Sequence, residues 1–144
     1  MNPSALITAV VVFLTAAISH AAKAPMSDEK MQKEATHIVT GKVLDVTTSV
    51  EKSKIETHPG THKDTIYTIT VEVQDIAKGA GPQKGQKITI LAWKPHTRMP
   101  NLPGLQGHEV IPAKGNTATF HLVGGGKEPY APLLPNGMKI KTAE

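Results

Sequence analysis

Residues 67–74 read Tyr67-Thr68-Ile69-Thr70-Val71-Glu72-Val73-Gln74. Apolar side chains occupy Tyr67, Ile69, Val71 and Val73, and polar ones fill the positions between them. A period of two marks a half-buried β-strand, because successive side chains of an extended chain leave on opposite faces. The run Lys78-Gly79-Ala80-Gly81-Pro82 supplies the turn residues that end it.

Working outward, the same habit recurs. Upstream, His37-Ile-Val-Thr-Gly-Lys-Val-Leu-Asp-Val46 is rich in β-branched residues. Gly41 interrupts it, which predicts a bulge or sharp bend. Downstream, strands are expected at Lys87-Ile-Thr-Ile-Leu-Ala-Trp93 and Thr117-Ala-Thr-Phe-His-Leu-Val123. In the second of these, Ala118, Phe120 and Leu122 face inward and His121 outward. The Gly124-Gly125-Gly126 run lacks the Lys-Ser/Thr pair and following helix of a phosphate loop, so it reads as a flexible hairpin turn. It leads to a strand over 130–134. Asn136-Gly137 is a tight-turn signal before a last short strand over 138–141. One helix is expected, over 27–35, with Ser27 as N-cap, Asp28 and Glu29 in its first turn, and Met26, Met31 and Ala35 as an apolar edge. Five or six strands with no second helix indicate an all-β sandwich or small barrel.

The first residues fix the compartment. Ala5-Leu-Ile-Thr-Ala-Val-Val-Val-Phe-Leu-Thr-Ala-Ala-Ile18 carries no charge, and Ser19-His20-Ala21-Ala22 follows it. This is the layout of a secretory signal peptide with cleavage after Ala21. The apolar core falls short of the ~20 residues that a membrane-spanning helix needs. An uncleaved anchor is the alternative, since residues 1–4 contain no Lys or Arg. The expected organisation is a signal peptide over 1–21, an N-terminal helical segment over 22–35 and a β-barrel domain over 36–144, working in the periplasm or outside the cell. No membrane span is expected after cleavage.

Composition narrows the chemistry. The chain has no cysteine, which excludes thiol catalysis, cysteine-based zinc sites, disulfides and a lipoprotein anchor. Its net charge is +4, but the lysines near residues 51–64 are interspersed with acids. That describes a solvated surface rather than a nucleic-acid stripe. Stacking aromatics are scarce after the leader, namely Tyr67, Trp93, Phe120 and Tyr130, so no nucleic-acid partner is expected.

Ala35-Thr-His-Ile-Val-Thr-Gly-Lys-Val43, the alternating strand 67–73 and Lys78-Gly79 together resemble the opening half of netrin/TIMP-like OB barrels. Residues 27–141 resemble more closely a group of small uncharacterised secreted bacterial proteins. Their pattern runs from "ATHIVTGKV" through a strand ending in Trp93 and a Gly-Pro loop with Gly107-His108 to a closing Pro135-Asn136-Gly137. The resemblance implies an OB-like, Greek-key barrel of five or six strands with a short N-terminal helix, and no activity. Metalloproteinase inhibition by TIMP-like domains uses an N-terminal cysteine on zinc, which this chain lacks. Fold likeness does not transfer function.

Two connections are long, residues 49–64 and 94–115, and long loops in compact domains are functional or mobile. They carry the candidate residues. His58-Pro-Gly-Thr-His62 lies in the first, and His96 and His108 in the second. Imidazole suits Zn, Cu and Ni, so His58, His62, His96 and His108 form the candidate metal set, with exposed loop histidines as the plain alternative. Trp93 and Arg98 are candidate ligand contacts, although closure of the barrel core is the favoured role for Trp93. The serines after the leader, Ser27, Ser49 and Ser53, sit in no nucleophile elbow. No acid–base pair is evident. A cluster of Arg98, His108 and Glu109 is the nearest thing to a catalytic group. The expected function is a non-enzymatic binding module, with no cofactor, whose two long loops capture a protein or envelope component. The alternative is a periplasmic metal-binding protein using the loop histidines.

Overall fold

Alternation along 67–74 places Ile69, Val71 and Val73 in the core, and the rest of the architecture is built around them. The structure is a computed structural model and describes residues 23–101 and 103–142. The leader read at 1–21 lies outside the described residues. Helix α1 (Asp28–Glu34) is followed by strands β1 (His37–Lys52), β2 (Thr61–Lys78), β3 (Lys87–Met99), β4 (Thr117–Gly124), β5 (Tyr130–Pro132) and β6 (Met138–Ile140).

The six strands form one mixed sheet in the order β1-β2-β3-β5-β4-β6, and β1 also pairs with β4. Strands β1, β2, β3, β5 and β4 therefore close into a ring, and β6 pairs with β4 alongside β5 on the edge away from β1. Every pairing is antiparallel except β3–β5, a single parallel bridge between Ile90 and Tyr130. Inside lies a core of Val39, Val43, Ile69, Val71, Val73, Ile88, Ile90, Ala92, Ala118, Phe120, Leu122 and Met138. The fold is mostly β with one short helix, as its alternating segments predict.

Gly41 performs the expected bend. The β1–β2 register shifts between Thr40 and Gly41, and a Cβ at Gly41 would stand 2.4 Å from Val71 Cγ1 and 2.6 Å from the Glu72 carbonyl oxygen. Only a bare backbone allows the two strands to approach this closely. The helix also follows its signals. Ser27 Oγ accepts from the Lys30 amide at 3.2 Å, and Met26, Met31 and Ala35 are buried. Asn136 clips this segment to the sheet by accepting from the Met26 amide and donating to its carbonyl, both at 2.9 Å. Its side chain is thus spent on the helix, and Asn136-Gly137 does not join two paired strands. Both β5 and β6 pair with β4 instead.

The largest departure concerns the two long connections. Strand β1 runs on to Lys52 and β2 begins at Thr61, so only residues 53–60 link them. Strand β3 likewise continues to Met99. Beyond the ring the three strands form a ribbon in which Ser49 pairs with Ile66, Glu51 with Asp64, and Thr61 with Met99. Pro95 is tolerated because it sits next to a register shift at Lys63/Asp64. This ribbon buries no apolar core, so it leaves no hydrophobic period in the sequence.

Candidate functional site

The outer face of the ribbon is set by β2, where Ile69, Val71 and Val73 point inward and His62, Asp64, Ile66 and Thr68 point the other way. Residues 53–60 fold back over this face. Ser53 starts the reversal, its Oγ accepting from the amides of Ile55 at 3.3 Å and Glu56 at 3.0 Å. Local hydroxyl-to-backbone bonding of this kind favours turns over strand continuation. Glu56 Oε1 accepts from the His58 amide at 3.1 Å and meets His58 Nδ1 at 2.7 Å. The bond to His58 holds the Glu56 carboxyl below its ordinary range. Glu56 Oε2 faces Gly104, where an added Cβ would come within 3.4 Å of it. The two long connections therefore meet at this end of the molecule.

Two hollows flank the folded-back segment. One is a cavity of about 650 Å³, bordered by Lys52, Glu56, His58, Thr61, His62 and Lys63 among others. The other is a groove of about 430 Å³ on the outer face, where Ile55, Ile66, Leu91 and Trp93 provide the apolar wall and Lys52, Lys54 and Glu51 the polar one. Lys52 borders both.

Buried polar groups lie between them. Asp64 is 2% exposed and bonds to Arg98 Nη2. Arg98 Nη1 donates to the carbonyls of Lys63 at 2.6 Å and Thr97 at 2.9 Å. The guanidinium therefore ties β2 to β3. His62 is 6% exposed, and neither ring nitrogen has a partner among the described residues. An unmet buried polar group costs about 1–3 kcal/mol, which makes His62 the most conspicuous debt in the ribbon.

The four candidate metal ligands are divided among three places. His58 and His62 share the cavity. His96 borders a separate hollow with Arg98, Asn101 and Gln106. His108 is buried, with Nδ1 accepting from the Trp93 amide at 3.1 Å and Nε2 3.1 Å from the Pro132 carbonyl. That pattern fits a neutral ring carrying its proton on Nε2. Burial pushes the His108 pKa down. Among the described residues, no group of three or more His, Cys, Asp or Glu is placed to hold a metal ion. Arg98 bonds to Asp64 and to two carbonyls, His108 to the backbone of Trp93 and Pro132, and Glu109 is exposed.

Trp93 departs from its favoured role. It lies outside the core cluster, half-buried on the groove, and its ring meets His108 edge-on with centroids 6.5 Å apart. The alternation that buries Ile88, Ile90 and Ala92 sends Trp93 outward. The loop backbone reaches it through Gly107, where φ is +72° and a Cβ would stand 2.3 Å from the Trp93 carbonyl oxygen. His121 is also outward of the core yet only 6% exposed, and Asp28 and Lys139 both act electrostatically on its ring. Sequence reading missed Glu56, Asp64, Ile66 and Leu91 as site residues. The only available signal was that charged Glu51 and Asp64 bracket the first long connection.

No helix among the described residues is long and apolar enough to cross a membrane. Comparison with family models, with curated proteins and with solved structures finds no match for this chain.

Proposed function

We propose that this chain is an exported, non-enzymatic binding module on an OB-type barrel, and that it captures a protein or envelope component at the outer face of its three-stranded ribbon. The observation that carries the reading is the groove walled by Ile55, Ile66, Leu91 and Trp93 beside charged Lys54 and Glu51. Apolar walls with a few polar groups at the rim are the usual make-up of a recognition site. Of the exposed apolar side chains, Ile55 borders this groove and is 48% exposed. The ring closed by β1 and β4 is the feature that supports the OB-type description, and the apolar leader supports export.

Capture is tested by pull-down from envelope extracts with the purified protein and with an Ile66→Asp/Trp93→Ala variant. The variant is expected to keep its β-sheet circular dichroism and lose the partner. Capture undiminished by the double substitution would overturn the reading.

The metal-binding alternative keeps only His58 and His62 in one hollow, short of the three protein ligands that even an open zinc site uses. Titration with Zn and Cu is expected to give no stoichiometric, saturable change in the histidine resonances. Tight saturation would instead favour the metal reading.

A further inference from the structure

Beyond the ring, β1 has a neighbouring strand on one side only. Strand β4 covers its other side over 37–42, and the Val43 amide and carbonyl bond to the Asn116 carbonyl and the Gly115 amide, each at 2.8 Å. From Asp45 to Lys52 the ladder with β2 runs without a register shift. The Ser53 amide donates to the His62 carbonyl at 2.9 Å, which fixes the parity of that ladder. Opposed residues of an antiparallel pair alternate between bonding each other and facing away. Asp45, Thr47, Ser49 and Glu51 therefore bond to β2, while Val46, Thr48, Val50 and Lys52 turn their N–H and C=O groups to the free edge. No backbone group among the described residues meets them there.

The opposite edge of the ribbon is protected. On β3, His108 takes up both the amide and the carbonyl of Trp93, and Pro95 has no N–H to offer. Sheets guard their edges with covers, prolines and bulges, and residues 45–52 have none of these. What the stretch carries is charge. Asp45 and Glu51 share the outer face, both exposed and neither in an ion pair among the described residues. Pairing with a second copy about a two-fold axis must match edge-facing residues with each other. For most of the stretch to pair, Thr48, Ser49 or Val50 sits on that axis. With Thr48 there, Asp45 lies opposite Glu51. With Ser49 the two are diagonal neighbours, and with Val50 each Glu51 is diagonal to the other. Like charges so placed repel in every register.

We propose that the edge of β1 from Val46 to Lys52 is a docking site for an extended strand of a different polypeptide, which sets basic side chains six positions apart against Asp45 and Glu51. Strand addition of this kind draws affinity from main-chain bonds and specificity from alternate side chains. It stands apart from the groove, since the pairing needs nothing from Ile66 or Trp93.

The test titrates the purified protein with the end-blocked heptapeptide Arg-Thr-Thr-Val-Thr-Thr-Arg and follows backbone amides by NMR. Saturable shifts and slowed hydrogen exchange are expected at Val46, Thr48, Val50 and Lys52. Val50→Pro removes an edge-facing N–H where an edge strand admits proline, and is expected to abolish saturation. Asp45→Arg/Glu51→Arg is expected to raise the dissociation constant by about tenfold and to bind the peptide Glu-Thr-Thr-Val-Thr-Thr-Glu instead. If Val50→Pro does not fold, this charge exchange decides by itself. Absence of saturation with the arginine peptide, or equal affinity for both peptides in the parent and the exchanged variant, overturns the proposal. So does a concentration-dependent dimer in sedimentation that Val50→Pro disperses, which assigns the edge to a second copy.

Discussion

At the scale of single residues, two buried histidines contribute to the response of this protein to acid. Burial lowers the pKa of His108 and of His121 from the ordinary value of 6.5. The unfolded chain therefore takes up protons first as pH falls, and stability is complete above the ordinary value and is lost as pH drops toward the folded-state values. Urea midpoints are expected to be lower near about pH 5 than near about pH 7.5, with the slope reduced in His108→Gln. A midpoint independent of pH would contradict the arrangement at His108. Gly41→Ala is expected to destabilise by about 2 kcal/mol, since its Cβ would collide with Val71 and the Glu72 backbone. Gly41 was legible in the sequence because a glycine inside a β-branched run has few other meanings. The histidines were not. His108 looks like a loop residue and His121 like an outward one, and only tertiary packing makes both buried.

At the scale of elements, the ribbon carries the groove proposed for recognition, and the Arg98–Asp64 ion pair ties its second and third strands together. Arg98→Ala leaves Asp64 buried without a cation, which is expected to cost about 3 kcal/mol by chemical denaturation. Arg98→Ala/Asp64→Asn is expected to recover part of that loss, because the uncompensated charge is gone; a double variant no better than the single would refute the account. Arg98 thus stands among the candidate ligand residues while acting as a tie between strands. The strands inside the ring could be seen in advance from their period of two. The ribbon could not, because Thr47, Thr48, Ser49, Glu51 and Lys52 gain their order from ladder hydrogen bonds rather than from a buried face. Hydrophobic patterning reports burial, and pairing beyond the core is silent to it. The same silence hides the groove, whose walls join residues 49–68 to residues 91–93 only through strand pairing.

For the whole molecule, strand number and the single helix were readable and a closed barrel was expected, whereas which strands close the ring was not. Closure is the pairing of β1 with β4, where Ile38 meets His121 and Gly41 meets Ala118. Nothing local in either strand specifies it. A chain truncated before Thr117 is expected to form soluble aggregates detectable by light scattering, since the edge of β1 at 37–42 then has no cover. A monodisperse, folded truncation would show that closure is dispensable. The closing pair also opposes the order in which the polypeptide is made. Its first strand waits for a partner roughly eighty positions further along, so a nascent chain emerging from the ribosome leaves the ring open until residues 117–122 have been made.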